Sequence, residues 1–165
     1  MKDYLLLIDE DTNGQRCDVT PIFADPSAFG NMLEDLAELV GDLEIDLVAG
    51  IDALGFILAT ALAIKLNKGL IPIRKGGKLP CAVLTEEFVD YSGQKKSLEL
   101  RKGVIQPGQR ILIVDEWIET GAQVGAAIRL IESVGGFVAG IATINMDVNE
   151  QTNELSRNYS CFSLK

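Results

Sequence analysis

Short apolar runs of four or five residues alternate with longer stretches whose apolar residues recur at helical spacing, and that alternation leaves few folds open to this chain. A strand that is apolar throughout needs cover on both faces, and helices that return the chain to the same sheet edge supply it. The expected class is therefore α/β, an open and mostly parallel sheet flanked by helices. After a short apolar run at 5–8, Pro26, Phe29, Met32, Leu33, Leu36 and Leu39 mark one face of a helix. Leu47, Val48 and Ala49 read as a buried strand ending at Gly50, residues 55–66 as a helix closed by Asn67 and Gly69, and 70–73 as the next strand. Segment 81–101 differs, because strand-like residues Val83, Leu84, Phe88, Val89 and Tyr91 lead into the polar tip Ser92, Gly93, Gln94, Lys95 and Lys96. It predicts a β-ribbon hood with a flexible loop at about 86–101. The most apolar strand follows at 111–114, then a helix from about 120 to 134 and a strand over 137–144.

With 165 residues, 47% of them apolar, the chain fits one domain spanning 1–165. A core of that size buries roughly two-thirds of the surface that the unfolded chain exposes. The longest apolar stretch, 55–64, is about half of what a membrane-spanning helix needs, and no basic-then-apolar signal opens the chain. Cys17, Cys81 and Cys161 are odd in number and far apart, which fits a reducing, cytoplasmic compartment. The lack of histidine argues against a structural zinc site and removes imidazole as a general base. A formal charge of −9 disfavours nucleic acid as a partner, so a polyanionic small ligand needs a local basic patch. Arg74, Lys75 and Lys78 form one such cluster, and Lys95, Lys96, Arg101 and Lys102 another; either also reads as a solvated face.

The segment ILIVDEWIETGAQ at 111–123 joins a buried strand, the acids Asp115 and Glu116 at its carboxyl end, and a Thr120-Gly121-Ala122 turn that opens a helix. Ligands of open α/β sheets bind beyond the carboxyl ends of strands, and a helix start offers unpaired N–H groups to a phosphate. Gly121 permits close backbone approach and Thr120 adds a hydroxyl. Asp115 and Glu116 carry the wrong charge for phosphate and suit sugar hydroxyls, so a ribose 5-phosphate satisfies both halves. The same residues also describe two acids capping an ordinary helix.

ILIVDEWIETGAQ resembles the phosphoribosyl pyrophosphate signature of type I phosphoribosyltransferases. DVTPIFADPSAF (18–29), AGIDALGFILATALA (49–63), IPIRKGGKLP (71–80) and SLELRKGVIQPGQR (97–110) resemble, in the same order, blocks of the adenine branch of that family. The resemblance covers about 14–145. It implies that Asp115 and Glu116 hold ribose hydroxyls, that Thr120, Gly121, Ala122 and Gln123 hold the 5-phosphate, and that Asp52, Ala53 and Leu54 with Arg74 and Lys78 meet pyrophosphate. Leu54 departs from the family, which usually has arginine there, and loss of one charge-assisted hydrogen bond removes about 1.5–3 kcal/mol of binding.

Asp90 and Tyr91 match the acidic residue and tyrosine of the family's hood, with Asp90 in place of the usual glutamate. A closing hood suits transfer at an anomeric carbon, where water would intercept an oxocarbenium-like state. Glu119 stands where hypoxanthine-guanine enzymes have an acid, which makes it a candidate base for the purine's imidazole proton and equally a solvated residue at a helix start. Gln15, Arg16 and Cys17 occupy the family's base-reading segment without its aromatic residue, and Arg16 offers a guanidinium plane for stacking or a surface charge. Trp117 is expected to be packed rather than part of the site.

The expected function is a phosphoribosyltransferase that joins a purine, foremost adenine, to phosphoribosyl pyrophosphate, with Asp90 or Glu119 assisting and Mg²⁺ bound mainly through the substrate. No residue is assigned as a metal ligand, and a homodimer is the expected assembly. A hypoxanthine/guanine-type enzyme and a non-catalytic phosphoribosyl pyrophosphate-binding regulator are the alternatives.

Overall fold

The structure, a computed structural model, describes residues 2–13, 16–90 and 92–165. A 3-10 turn at Asp3–Leu7 leads to the short helix α1 (Thr20–Ala24) and then α2 (Pro26–Val40). The alternating part follows: β1 (Leu47–Ile51), α3 (Gly55–Lys65), β2 (Gly69–Lys75), the hairpin β3 (Val83–Val89) and β4 (Lys95–Arg101), and β5 (Arg110–Val114). Beyond it lie β6 (Trp117–Ile118), α4 (Ala122–Ser133), β7 (Phe137–Thr143), β8 (Asn145–Met146), α5 (Glu150–Asn158) and β9 (Cys161–Ser163). Seven strands form one sheet in the order β3-β4-β2-β1-β5-β7-β9. The five from β2 to β9 run parallel, and the hairpin joins antiparallel at one edge. β6 and β8 pair separately as a small parallel ribbon.

Side chains alternate across the sheet as strand geometry requires. In β5, Leu112 and Val114 join the core under α1, α2 and α3, whereas Ile111 and Ile113 join the one under α4. All four are wholly buried. α2 starts where Asp25 Oδ1 accepts the Ala28 N–H at 2.7 Å, with Pro26 at the first helical position. It buries Ala28, Met32, Leu36 and Val40, one turn apart, so Leu39 lies outside the stripe and stays 43% exposed.

The expected α/β architecture and central elements are present, with differences at the edges. The helix expected from 120 begins at Ala122, because Gly121 adopts a left-handed φ of 82° that ends the preceding turn. The strand expected to run to 144 ends at Thr143, and Ile144 turns its N–H to the Glu116 carbonyl. The apolar run at 5–8 belongs mostly to the 3-10 turn, which leaves Leu6 68% exposed. β6 and β8, two residues each, are too short to carry a period, and α5 opens with a capping box of Asn149 and Thr152 in place of the usual Glu or Gln.

One glycine ties packing to the site. A Cβ on Gly55 would lie 2.8 Å from Asp115 Oδ1 and 3.0 Å from the Val114 carbonyl oxygen, so α3 begins flush against the end of β5. Gly55→Ala is expected to lower the urea midpoint with an unchanged slope, a loss of about 1–3 kcal/mol of stability.

Candidate functional site

β1 and β5 are parallel neighbours, with Gly50 level with Val114, so the chain leaves both strands at the same sheet edge. Asp52 follows β1 and Asp115 follows β5 there, and the turn into α4 lines a hollow together with Asp115. In that turn Ala122 N–H donates to Thr120 Oγ1 at 3.3 Å, and the left-handed Gly121 precedes the helix. A Cβ on Gly121 would stand 3.1 Å from Leu155 Cδ1, so α5 presses on the turn from outside. The following N–H groups at the start of α4 have the geometry and polarity for a phosphate.

Asp115 is 4% exposed. Its Oδ1 accepts the Glu116 N–H at 3.1 Å, and its Oδ2 accepts the side-chain amide of Gln123 at 3.2 Å. Burial, and next the Glu116 charge, push its carboxyl well above the usual carboxylate range. Glu116 is half-buried, and its carbonyl accepts from the Thr143 hydroxyl and the Ile144 N–H.

Two adjoining hollows open at this edge. Asp115, Thr120, Gly121 and Gln123 line the larger, together with Asp90, Lys96, Lys75 and Phe88 from the β2–β4 side. Cys17, Val19, Leu54 and Glu116 line the smaller. Arg16, Trp117 and Glu119 line both and stand between them. Arg16 and Glu119 are ion-paired, Nε to Oε1 at 2.7 Å and Nη2 to Oε2 at 3.3 Å. Glu119 is anchored from behind, where the Asn149 side-chain amide donates to its carbonyl at 2.7 Å. Trp117, expected to be only packed, forms part of the wall: its Nε1 donates to Asp147 Oδ1 at 3.1 Å, and Lys165 Nζ sits 5.7 Å from its ring centre.

The remaining expected residues fall into separate places. Arg74 Nε donates to Asp52 Oδ2 at 3.3 Å, and its Nη1 donates to the Lys78 carbonyl at 3.3 Å, so Asp52, Arg74 and Lys78 form one cluster. The Asp52–Ala53 peptide is cis, and Ala53 is exposed beside that cluster. Leu54 turns instead to the smaller hollow and packs against the core of α1–α3. Ala122 lies in a groove behind the turn, with Gly125 and Leu155. Cys17 is half-buried, and burial raises its thiol. Asp90 lines the larger hollow but is held locally: Oδ1 accepts from the Ser92 N–H, the Ser92 hydroxyl and the Gln94 N–H, and Oδ2 lies 2.5 Å from Lys96 Nζ. The Lys96 contact, then the Ser92 hydroxyl, hold its carboxyl well below the usual range. Gln15 and Tyr91 lie outside the described residues. Lys75 and Lys96 were legible as members of basic clusters, whereas Phe88 read as an ordinary strand residue.

Residues 27–165 match the family model of the phosphoribosyl transferase domain. The chain is 38% identical over 147 residues to an adenine phosphoribosyltransferase of Halothermothrix orenii, covering 89% of this chain and 86% of that protein. It is 41% identical over 127 residues to an adenine phosphoribosyltransferase of Leuconostoc citreum, covering 77% and 72%. Among solved structures, that of adenine phosphoribosyltransferase from Thermoanaerobacter pseudethanolicus superposes with a TM-score of 0.90 at 32% identity, over 98% of this chain and 96% of that one. The adenine phosphoribosyltransferase of Saccharomyces cerevisiae in complex with an imino-altritol bisphosphate and adenine gives 0.84 at 26% identity, over 99% and 97%. With the acid-tipped strand and the glycine turn both lying inside a domain match that spans 27–165, the chain belongs to the phosphoribosyltransferase family.

Proposed function

We propose that the chain is an adenine phosphoribosyltransferase, which joins adenine to phosphoribosyl pyrophosphate and releases AMP and pyrophosphate. The observation that carries the reading is the shared wall of Arg16, Trp117 and Glu119, which separates a hollow suited to a ribose phosphate from a half-apolar one suited to a flat base. In this reading Asp115, with Glu116, accepts ribose hydroxyls, and the N–H groups from Thr120 to Gln123 hold the 5-phosphate. Asp52 and Ala53 frame the pyrophosphate side, where Arg74 and Lys78 meet its oxygens, while Leu54 lines the hollow on the base side. A purine nitrogen forms the bond to the anomeric carbon as the bond to pyrophosphate breaks, and the imidazole proton passes to Glu119. For that, Glu119 must first part from Arg16; a partly exposed pair of this kind is worth about 0–1 kcal/mol, so base binding can displace it. Asp90 and the 86–101 hairpin act as the hood over the reacting carbon, and the base rests against Arg16, Cys17 and Gln15.

Mg²⁺ fits as an ion carried by the substrate. Among the described residues no group of three or more His, Cys, Asp or Glu could hold a metal, and both Asp115 oxygens already accept protein N–H groups. An ion held by pyrophosphate oxygens and water would neutralise charge on the leaving group. The outward face of α3, where Ile57 and Ile64 stay 42% and 76% exposed, supports a homodimer, and the whole chain is taken as one domain. Among the described residues no helix is long and apolar enough to cross a membrane, and the three cysteines are free thiols, as in the cytoplasm.

Purified protein with Mg²⁺ and saturating phosphoribosyl pyrophosphate is expected to form AMP from adenine faster than it forms IMP from hypoxanthine. No AMP, or faster IMP formation, overturns the assignment. Glu119→Gln keeps a hydrogen bond to Arg16 and removes the proton acceptor, so kcat is expected to fall about 10²-fold at an unchanged KM for phosphoribosyl pyrophosphate. Asp115→Asn is expected to lower kcat/KM by about 10–100-fold. The same change should stabilise the fold. A raised carboxyl means that the folded state holds its proton to higher pH than the unfolded state, so stability is lost as pH climbs through the folded value. Thermal melts should therefore show a larger gain for Asp115→Asn at pH 7 than at pH 4.

A further inference from the structure

Outside the residues discussed so far, Glu99 on β4 stands out as a charged side chain placed in the interior, 9% exposed. Its Oε1 accepts the Gly77 N–H at 2.8 Å, while Oε2 is buried without a hydrogen-bond partner. An interior carboxylate carries a large desolvation cost, so one that persists needs bonds or charges that offset it. Lys75 and Lys96 line with Glu99 a groove of ≈ 330 Å³ beside the Gly76-Gly77 turn.

That turn carries the cations of the pyrophosphate side. β2 and β4 are antiparallel with Arg74 level with Glu99, so the turn that ends β2 folds over the Glu99 side chain. Gly76 N–H donates to the Ser97 carbonyl at 3.0 Å, and a Cβ on Gly76 would meet Ser97 Oγ at 2.3 Å, so the backbone lies directly on β4. Gly77 has a φ of +76°, the left-handed region. Two adjacent glycines have the widest unfolded freedom of any residues, so a turn made of them is ordered only as well as its bonds hold it. Arg74 closes it at one end through the Lys78 carbonyl and joins it to Asp52; Glu99 holds the middle.

We propose that Glu99 is a positioning residue for this turn: its buried carboxylate fixes the Gly77 N–H and so presents Arg74, Lys75 and Lys78 to the phosphate oxygens of the ligand. The inference rests on the reading that residues 74–78 meet pyrophosphate.

Reach and charge separate in two variants. Glu99→Asp keeps the charge and shortens the side chain by a methylene, which takes the carboxylate away from Gly77; Glu99→Gln keeps the reach and the acceptor. Calorimetry with phosphoribosyl pyrophosphate and with inorganic pyrophosphate, both with Mg²⁺, is expected to show about tenfold weaker binding for Glu99→Asp and a change within about twofold for Glu99→Gln, with the KM for adenine unchanged in both. Arg74→Ala serves as the control and is expected to weaken both ligands. If Arg74→Ala binds weakly while Glu99→Asp binds as the wild type does, the role of Glu99 is overturned and the pyrophosphate reading stands. If Arg74→Ala also binds as the wild type does, that reading falls and takes the inference with it. A lower kcat and melting temperature in both Glu99 variants at unchanged ligand affinity marks a merely structural residue and overturns the proposal. A measurement without variants adds to these: the Gly77 amide proton should exchange slowly in the free wild-type protein, and fast exchange there overturns the bond on which the role depends.

Discussion

The parallel pairing of β1 with β5, buried on both faces, is the constraint on which the rest of the molecule depends. No charged side chain fits within the buried stretch of either strand, so charges first appear where the strands end, and both end at one edge. Asp52 and Asp115 follow their strands at the same sheet edge for that reason. The pairing also dictates where Gly55 must be, since α3 has to start against the Val114 carbonyl and leave no room for a Cβ. From the same edge the chain turns through Thr120 and Gly121 into α4, whose start faces the space above Asp115.

A chain of net charge −9 that takes a polyanionic ligand has to handle its cations locally. Three of the cations near the site sit with an acid: Arg74 with Asp52, Lys96 with Asp90, Arg16 with Glu119. Pairs of partly exposed cations are weak, of order 0–1 kcal/mol, and so are displaced readily by a phosphate that offers more charge. Asp115 is the opposite case. It is fully enclosed, bonded only to neutral N–H donors, and disfavoured as an anion in the free protein. On the proposed reading it exchanges a poorly solvated environment for ribose hydroxyls, which favours tight placement of the sugar.

Much of the architecture was legible in the sequence, and the legible parts share a cause. Buried strands announce themselves as short continuous apolar runs, as β1 and β5 do, α3 as a longer apolar run closed by Asn67 and Gly69, and α4 by its helical spacing. Gly121 announces itself because few residues besides glycine accept its φ. The elements that escaped are those held by partners rather than by pattern: β6 and β8 exist because two residues of each meet, and β9 because it adds to the edge of β7. Candidate site residues divide in the same way. Asp115, Thr120, Gly121 and Gln123 lie close in sequence and line one hollow. Trp117 read as packing and proved to be a wall between two hollows, and Asp90, read as a hood acid, lines the larger hollow while bonded within its own hairpin tip.

The sequence by itself determined the α/β class, the acid-tipped strand and glycine turn, and the positions of the basic clusters, because each depends on the order and spacing of neighbouring residues. Only the tertiary structure decided which charges meet. Arg16 finds Glu119 across 103 positions of chain, Arg74 finds Asp52 across 22, and Glu99 reaches under Gly77. Such pairings depend on strand order and register, which set distances of a few ångströms between segments that have no local relation in sequence. The glycine turn could thus be read from its residues, while the carboxylates that surround it acquired their partners only on folding.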